Sequence, residues 1–169
     1  MGSEMCIRDR LDNHWTRVEA SEALADLSIL DFADAVARDA ELEGVAPATL
    51  GLLVANDVEG RDIALWFGRV SLIAVDFPSF ADGRGFSLGR RLRALGYQGR
   101  MRAFGPVIAD QYAYLRACGF DEVETPVGVS NRQPEAHWKA AAAAMTIGYQ
   151  RGYPGPRNVL EARRAARSG

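Results

Sequence analysis

Asp82, Arg84 and Ser87 stand in one short run, Asp-Gly-Arg-Gly-Phe-Ser-Leu-Gly, where two opposite charges and a hydroxyl are interleaved with glycines. Such a run can serve a phosphate or sulfate. Glycines let the backbone approach a ligand, and the free N–H groups of a helix start attract an anion. The spacing is G-x-G-x-x-x-G, which is not the dinucleotide fingerprint, and no acidic residue ends the next strand to hold a ribose. The plainer reading is a tight turn that the glycines permit. Asn56, Asp57, Asp76, Asp110 and Gln111 are the other polar residues that, like this run, follow apolar stretches.

The arginines form a second feature. Six of them (Arg84, Arg90, Arg91, Arg93, Arg100 and Arg102) fall between Gly83 and Ala109, a stretch without an acidic residue. This island could attract a small oxyanion or an acidic partner surface. A solvated helix face explains part of it equally well. Arg102 differs, because it falls inside an apolar run that reads as a buried strand, where an unpaired charge is costly. It is either half of a structural ion pair, with Asp76 on a neighbouring strand as candidate partner, or part of an anion site.

Other chemistries find little support. Cys6, Cys118, His14 and His137 are the only cysteines and histidines, and no pair has metal-ligand or C-x-x-C spacing. No intrinsic cofactor or metal is expected, and an iron–sulfur cluster has no ligand set. Cys118, beside a helix-ending glycine and with no histidine near it in sequence, reads as a core residue. The single lysine, Lys139, disfavours Schiff-base or P-loop chemistry. His14 with Trp15, and His137 with Trp138, suggest only packing or surface roles.

These residues need elements to position them. Apolar runs at Leu27–Leu30, Leu50–Ala55, Leu72–Phe77, Arg100–Phe104 and Glu122–Thr125 read as strands. Helical stretches lie between them at Asp31–Leu42, Arg61–Arg69, Ser87–Leu95 and Val107–Cys118, and a last helix covers Pro134–Ala144. Leu88, Leu92 and Leu95 share one helix face, as do Ile108, Tyr112 and Leu115. Gly96 and Gly119 suit the left-handed residue after a helix, with Tyr97 and Phe120 packing back on the last turn. Pro106 suits a first helical position. Arg93-Ala94-Leu95-Gly96-Tyr97 recurs as Arg116-Ala117-Cys118-Gly119-Phe120, the mark of matched strand–helix units. The alternation predicts a single α/β domain of about five such units around a mainly parallel sheet, either an open sheet or a partial barrel. In such folds ligands bind beyond the carboxyl ends of the strands, where the polar residues named above fall.

The whole chain has 169 residues, 48% of them apolar, enough for one domain with a real core. No apolar run approaches the roughly 20 residues of a membrane span, and no secretory signal is legible, so a cytoplasmic location is expected. Residues 1–10, MGSEMCIRDR, look like a translated sequencing adapter and are set aside, with the true start expected to be missing. Residues 11–150 form the domain, with a net charge of −6. Residues 151–169, opening with RGYPGPRN and carrying +4, are expected to be a flexible basic tail. Hung on an acidic body, that tail does not make a nucleic-acid binder.

VANDVE, LIAVDFPSFADGRGFSLGRRLR, GRMRAFGPVIADQYAYLRACGFDEVE and MTIGYQ resemble the bacterial family numbered 934 among domains of unknown function. The resemblance covers about His14 to Gln150. Pro106 and Ala109 depart from the family's more polar choices. The resemblance places Asp82, Arg84, Ser87, Arg102, Asp110 and Gln111 in the family's signature. It also implies a link to assimilatory sulfite reduction, since members are labelled as oxidoreductases of that pathway and are encoded beside a sulfite reductase. An oxidoreductase needs a redox centre, and this sequence shows none of its own. The resemblance therefore implies an accessory that works with a sulfite reductase. The residues keep a second reading open: an enzyme or binding protein for a phosphate- or sulfate-bearing ligand at the arginine-rich face.

Overall fold

The computed structural model describes residues 5–7 and 14–144. Seven strands form one sheet: β1 Met5–Ile7, β2 Thr16–Arg17, β3 Ser28–Asp31, β4 Leu50–Val54, β5 Leu72–Asp76, β6 Arg100–Phe104 and β7 Glu122–Thr125. Their spatial order is β1-β7-β6-β5-β4-β3-β2. Strands β2 to β7 run parallel in chain order, and β1 lies antiparallel beside β7. The short strand Met5–Ile7 thus falls within the segment set aside on sequence, and it pairs with Val123–Thr125. The basic tail lies outside the described residues.

Consecutive parallel strands with no reversal of order need every crossover to return in the same sense. Because those crossovers are right-handed, the helices gather on one face of the sheet. They are α1 Phe32–Ala37, α2 Gly60–Ala64, α3 Arg84–Ala94, α4 Ala109–Ala117, α5 Val127–Ser130 and α6 Glu135–Ala144. Leu30, Leu52, Val54, Ile73, Val75, Met101, Ala103 and Val123 point to that face and form the main core with Ile63, Leu92, Leu115 and Trp138.

The other face curls inward on itself. Arg17 lies on β2, yet its guanidinium carbon sits 3.6 Å from the centroid of the Phe104 ring on β6. Its Nη2 lies 3.6 Å from Glu124 on β7. In a flat sheet, β2 and β7 would stand about 24 Å apart at ~4.8 Å per strand, far beyond one arginine side chain. The sheet is therefore a half-barrel, which decides between the open sheet and partial barrel that the sequence left open. Trp15, two residues before Arg17, fills the lower part of this concave side with Ile29 and Leu72. Gly51 makes the room, since a Cβ there would lie 3.2 Å from the Trp15 ring.

The two matched units end alike. Gly96 and Gly119 adopt φ of +102° and +94°. Tyr97 N donates to Leu92 O at 3.1 Å and Phe120 N to Leu115 O at 3.1 Å, and both helices close in a Schellman turn. Arg93 and Arg116, at equivalent positions, each donate to carbonyls of the chain just beyond such a turn.

Three helix expectations need correction. The stretch Asp31–Leu42 is not one helix: α1 ends at Ala37 and a 3-10 turn, Asp39–Leu42, follows. Asp31 is its N-cap, its carboxylate accepting from Ala33 N at 2.9 Å. The stretch Arg61–Arg69 is helical only as far as Ala64. Pro106 is not the first helical residue, because α4 starts at Ala109 after an N-cap at Ile108. Gly105, at φ +129°, turns the chain before it.

Candidate functional site

The side chains facing the concave side follow from strand alternation and register. One row across the sheet reads Asp31, Leu53, Ala74, Arg102, Glu122. The row nearer the carboxyl ends contains Asp76, Phe104 and Glu124. The interior of the half-barrel therefore carries buried charges on β6 and β7, while on β3 to β5 apolar Leu53 and Ala74 accompany Asp31 and Asp76 at the carboxyl ends.

Arg102 is 1% exposed and Glu122 and Glu124 are equally buried. Arg102 Nε donates to Glu122 Oε1 at 2.7 Å, and its Nη1 donates to Glu124. Arg100 pairs with the other oxygen of Glu122, and Arg17 approaches Glu124 from the mouth. The carboxylates that meet Arg102 thus come from β7, whereas Asp76 on β5 stands opposite Phe104. The expected ion pair exists with a different strand.

At the carboxyl ends, loops after β4 and β5 bring Asn56, Asp57, Asp76, Asp82 and Arg84 together. Arg84 grips Asp82 with its guanidinium: Nη2 donates to Oδ2 at 2.7 Å and Nε to Oδ1 at 3.1 Å. Asp82 also accepts from Arg84 N at 3.1 Å. These bonds hold its carboxyl well below the usual carboxylate range. Asn56 is buried and lies close enough to favour that ionised form, but its Nδ2 completes no hydrogen bond of good geometry. Asp57 is exposed and adds its charge to the field at Arg84.

Asp76 behaves in the opposite way. Burial pushes its carboxyl up, and the neighbouring Asp31 and Asp82 charges add to this, while Arg17 and a backbone hydrogen bond from Phe77 oppose it. Two carboxylates in one mouth are thus driven apart in acidity, the arrangement that general acid–base chemistry exploits. Beside them opens a cleft of ≈ 590 Å³ lined by Arg17 with Glu19, Glu22, Asp31 and Asp34. The mouth is acidic, with Arg17 and Arg84 as its cations.

The glycine run has a packing role. A Cβ on Gly85 would lie 2.6 Å from the Phe77 ring, and one on Gly89 would overlap Phe120. Gly85 and Gly89, one turn apart, let α3 lie close over these rings, and Phe77 meets Phe86 and Phe120 edge-on. Gln111 is also a scaffold residue. Its Nε2 donates to Phe80 O at 2.7 Å, tying the β5–α3 loop to the start of α4, and its Oε1 accepts from Ile108 N at 3.2 Å. Ser87 is exposed on α3 and Asp110 is exposed in the first turn of α4. The acid–arginine cluster therefore draws on Asn56, Asp57, Asp76, Asp82 and Arg84, with Gln111 in support, while Arg102 belongs to the interior network. Cys118 is buried in the helix-side core, and burial pushes its thiol up. Trp138 is fully buried against Tyr112, and His137 is exposed.

Sequence reading missed Arg17, Asp31 and Phe104 as members of this mouth. Nothing near Arg17 in sequence marks a two-residue strand, and its partners lie 87 and 107 positions away. Asp31 could have been noticed as the polar end of an apolar run.

A singly wound α/β half-barrel, with a charged interior and an acidic mouth at its carboxyl ends, is the class of protein that fold and site define. The chain belongs to the family described as a bacterial protein of unknown function (DUF934), whose model matches residues 51–160. No curated protein and no solved structure matches the chain. Among the described residues, no helix is long and apolar enough to cross a membrane, and no group of three or more His, Cys, Asp or Glu is placed to hold a metal ion.

Proposed function

We propose that the chain is a cytoplasmic accessory of assimilatory sulfite reduction that acts by contact with a sulfite reductase and leaves redox chemistry to that enzyme's cofactors. The pathway rests on the family resemblance. The mode of action rests on one observation: the arginines best placed to hold a small oxyanion are already paired. Arg91 faces Glu59, Arg93 faces Asp121, Arg100 faces Glu122, and Arg102 faces Glu122 and Glu124. At Arg100 and Arg102 a sulfur oxyanion would have to displace a carboxylate fixed in the fold, at the full cost of leaving Glu122 or Glu124 buried and unpaired, whereas the Arg91–Glu59 and Arg93–Asp121 pairs reach solvent and resist displacement less. The exposed acidic mouth is better suited to a macromolecular surface than to a small anion. Gel filtration of the purified chain mixed with the sulfite reductase tests this. Co-elution is expected, and separate elution at low and physiological salt would overturn the proposal.

One observation favours a second reading, an enzyme or binding protein for a phosphate- or sulfate-bearing small ligand. The Arg84 side chain is 60% exposed and stands at the start of α3, where helix N–H groups also favour an anion. Titration calorimetry with sulfite, sulfate and phosphate would show saturable binding that Arg84→Ala abolishes. The absence of heat with all three ions would remove this reading.

A further inference from the structure

Arg17 stands between two differently charged spaces. Behind it lies the interior network of Arg102, Glu122 and Glu124, almost completely withdrawn from water. In front of it lies the cleft with Glu19, Glu22, Asp31 and Asp34 in its walls. The contact between Arg17 and Glu124 is longer than the pairs behind it. Its Nη2 is 3.6 Å from Glu124, against 2.7 Å for Arg102 Nε to Glu122, and its side chain is 41% exposed. It is also held by the face of Phe104, a cation–π contact that tolerates sliding. The strand that carries it has two residues, anchored to β3 by Thr16 N to Leu27 O and Val18 N to Ile29 O. Short edge strands are among the first parts of a sheet to open.

We propose that Arg17 is a clasp that gates the concave interior of the half-barrel. In the closed state its guanidinium lies over Phe104 beside Glu124, closing the curl from the first parallel strand to the last. In the open state it swings into the cleft, where four carboxylates offer an alternative seat. Opening admits solvent, or a cationic group able to take the place over Phe104, to the face that carries Ala74 and Asp76. Both states keep the guanidinium among carboxylates, so neither leaves a charge stranded, and the edge strand can move without disturbing the helix-side core.

A thiol reporter tests this. Ala74 faces the concave side and is nearly fully buried, so Ala74→Cys, made with Cys6→Ser, places a cysteine behind the clasp. Cys118 on the opposite side of the sheet serves as the internal control for global unfolding. With an aromatic disulfide reagent, Arg17→Ala should speed modification of the cysteine at position 74 at least tenfold and leave Cys118 within twofold. Arg17→Lys, which keeps the charge and loses the planar stacking, should fall between. Phe104→Leu should also accelerate the reporter, and it carries the test if Arg17→Ala does not fold. An unchanged rate at position 74 in the folded variants, or parallel acceleration of both cysteines, would overturn the clasp.

Discussion

Arg102 shows how burial and pairing decide what a charged residue can do. It sits in the sheet because Glu122 and Glu124 on the adjacent strand meet it directly, and a charge held that way is structural unless one partner is released. Arg102→Met leaves those carboxylates short of a cation in a buried setting and should cost about 3–5 kcal/mol in urea unfolding. A loss well below 1 kcal/mol would mean that the carboxylates are already neutral or hydrated. Asp76 and Asp82 make opposite predictions for pH. The folded protein holds the Asp76 proton to higher pH than the unfolded chain, whose value is near 3.8. The contribution of Asp76 therefore falls as pH rises from that value through the folded one. Asp76→Asn should accordingly be more stable than the parent at neutral pH, with the gain shrinking in acid. Asp82 is held ionised below its ordinary range, so its contribution is present at neutral pH and is lost on acidification. Asp82→Asn should lower the thermal midpoint at pH 7 and converge with the parent in acid. Thermal melts from pH 7 down to pH 2 check both signs, with the Asp82→Asn difference beginning to narrow only below about pH 4.

The repeated glycine turns separate conformation from packing. Gly96 and Gly119 share a left-handed backbone, but a Cβ at Gly96 would meet nothing within 4 Å while one at Gly119 would run into the Arg93 side chain. Gly96→Ala should cost on the order of 1 kcal/mol, the conformational term alone. Gly119→Ala should cost more, because Arg93 holds Gly119 O, Tyr97 O, Gly99 O and Asp121 together. Equal losses in chemical denaturation would show that Arg93 gives way freely. These turns were legible in sequence because a glycine after a periodic apolar face is a local signal. Strands β6 and β7 were legible to the residue for a similar reason, being short runs bounded by turn residues. The first helix was misjudged, because Phe32 to Leu42 keeps its apolar spacing although the helix breaks at Arg38. Strand β2 was missed because two residues carry no period, and its pairing with β3 is a tertiary matter.

At the scale of the molecule, one topological fact organises the rest. Sequential parallel strands place every helix outside and leave the inner face to curl on its own side chains. The sequence carries the α/β alternation but not the curl, since the residues that reveal it, Arg17, Phe104 and Glu124, come from distant strands. The candidate site was half legible for the same reason. Polarity at strand ends marked Asn56, Asp76, Asp82 and Arg84, but whether an arginine stands free or paired depends on partners that only the fold supplies. That distinction supports the proposed contact surface over the oxyanion site that the sequence kept open as its alternative. The most direct test is sedimentation of the purified full chain with the sulfite reductase, with and without Asp57→Lys and Asp82→Lys in the mouth. The expected result is a complex that salt weakens and that these two substitutions reduce at least tenfold in affinity. Two components that sediment independently at every salt concentration would contradict it.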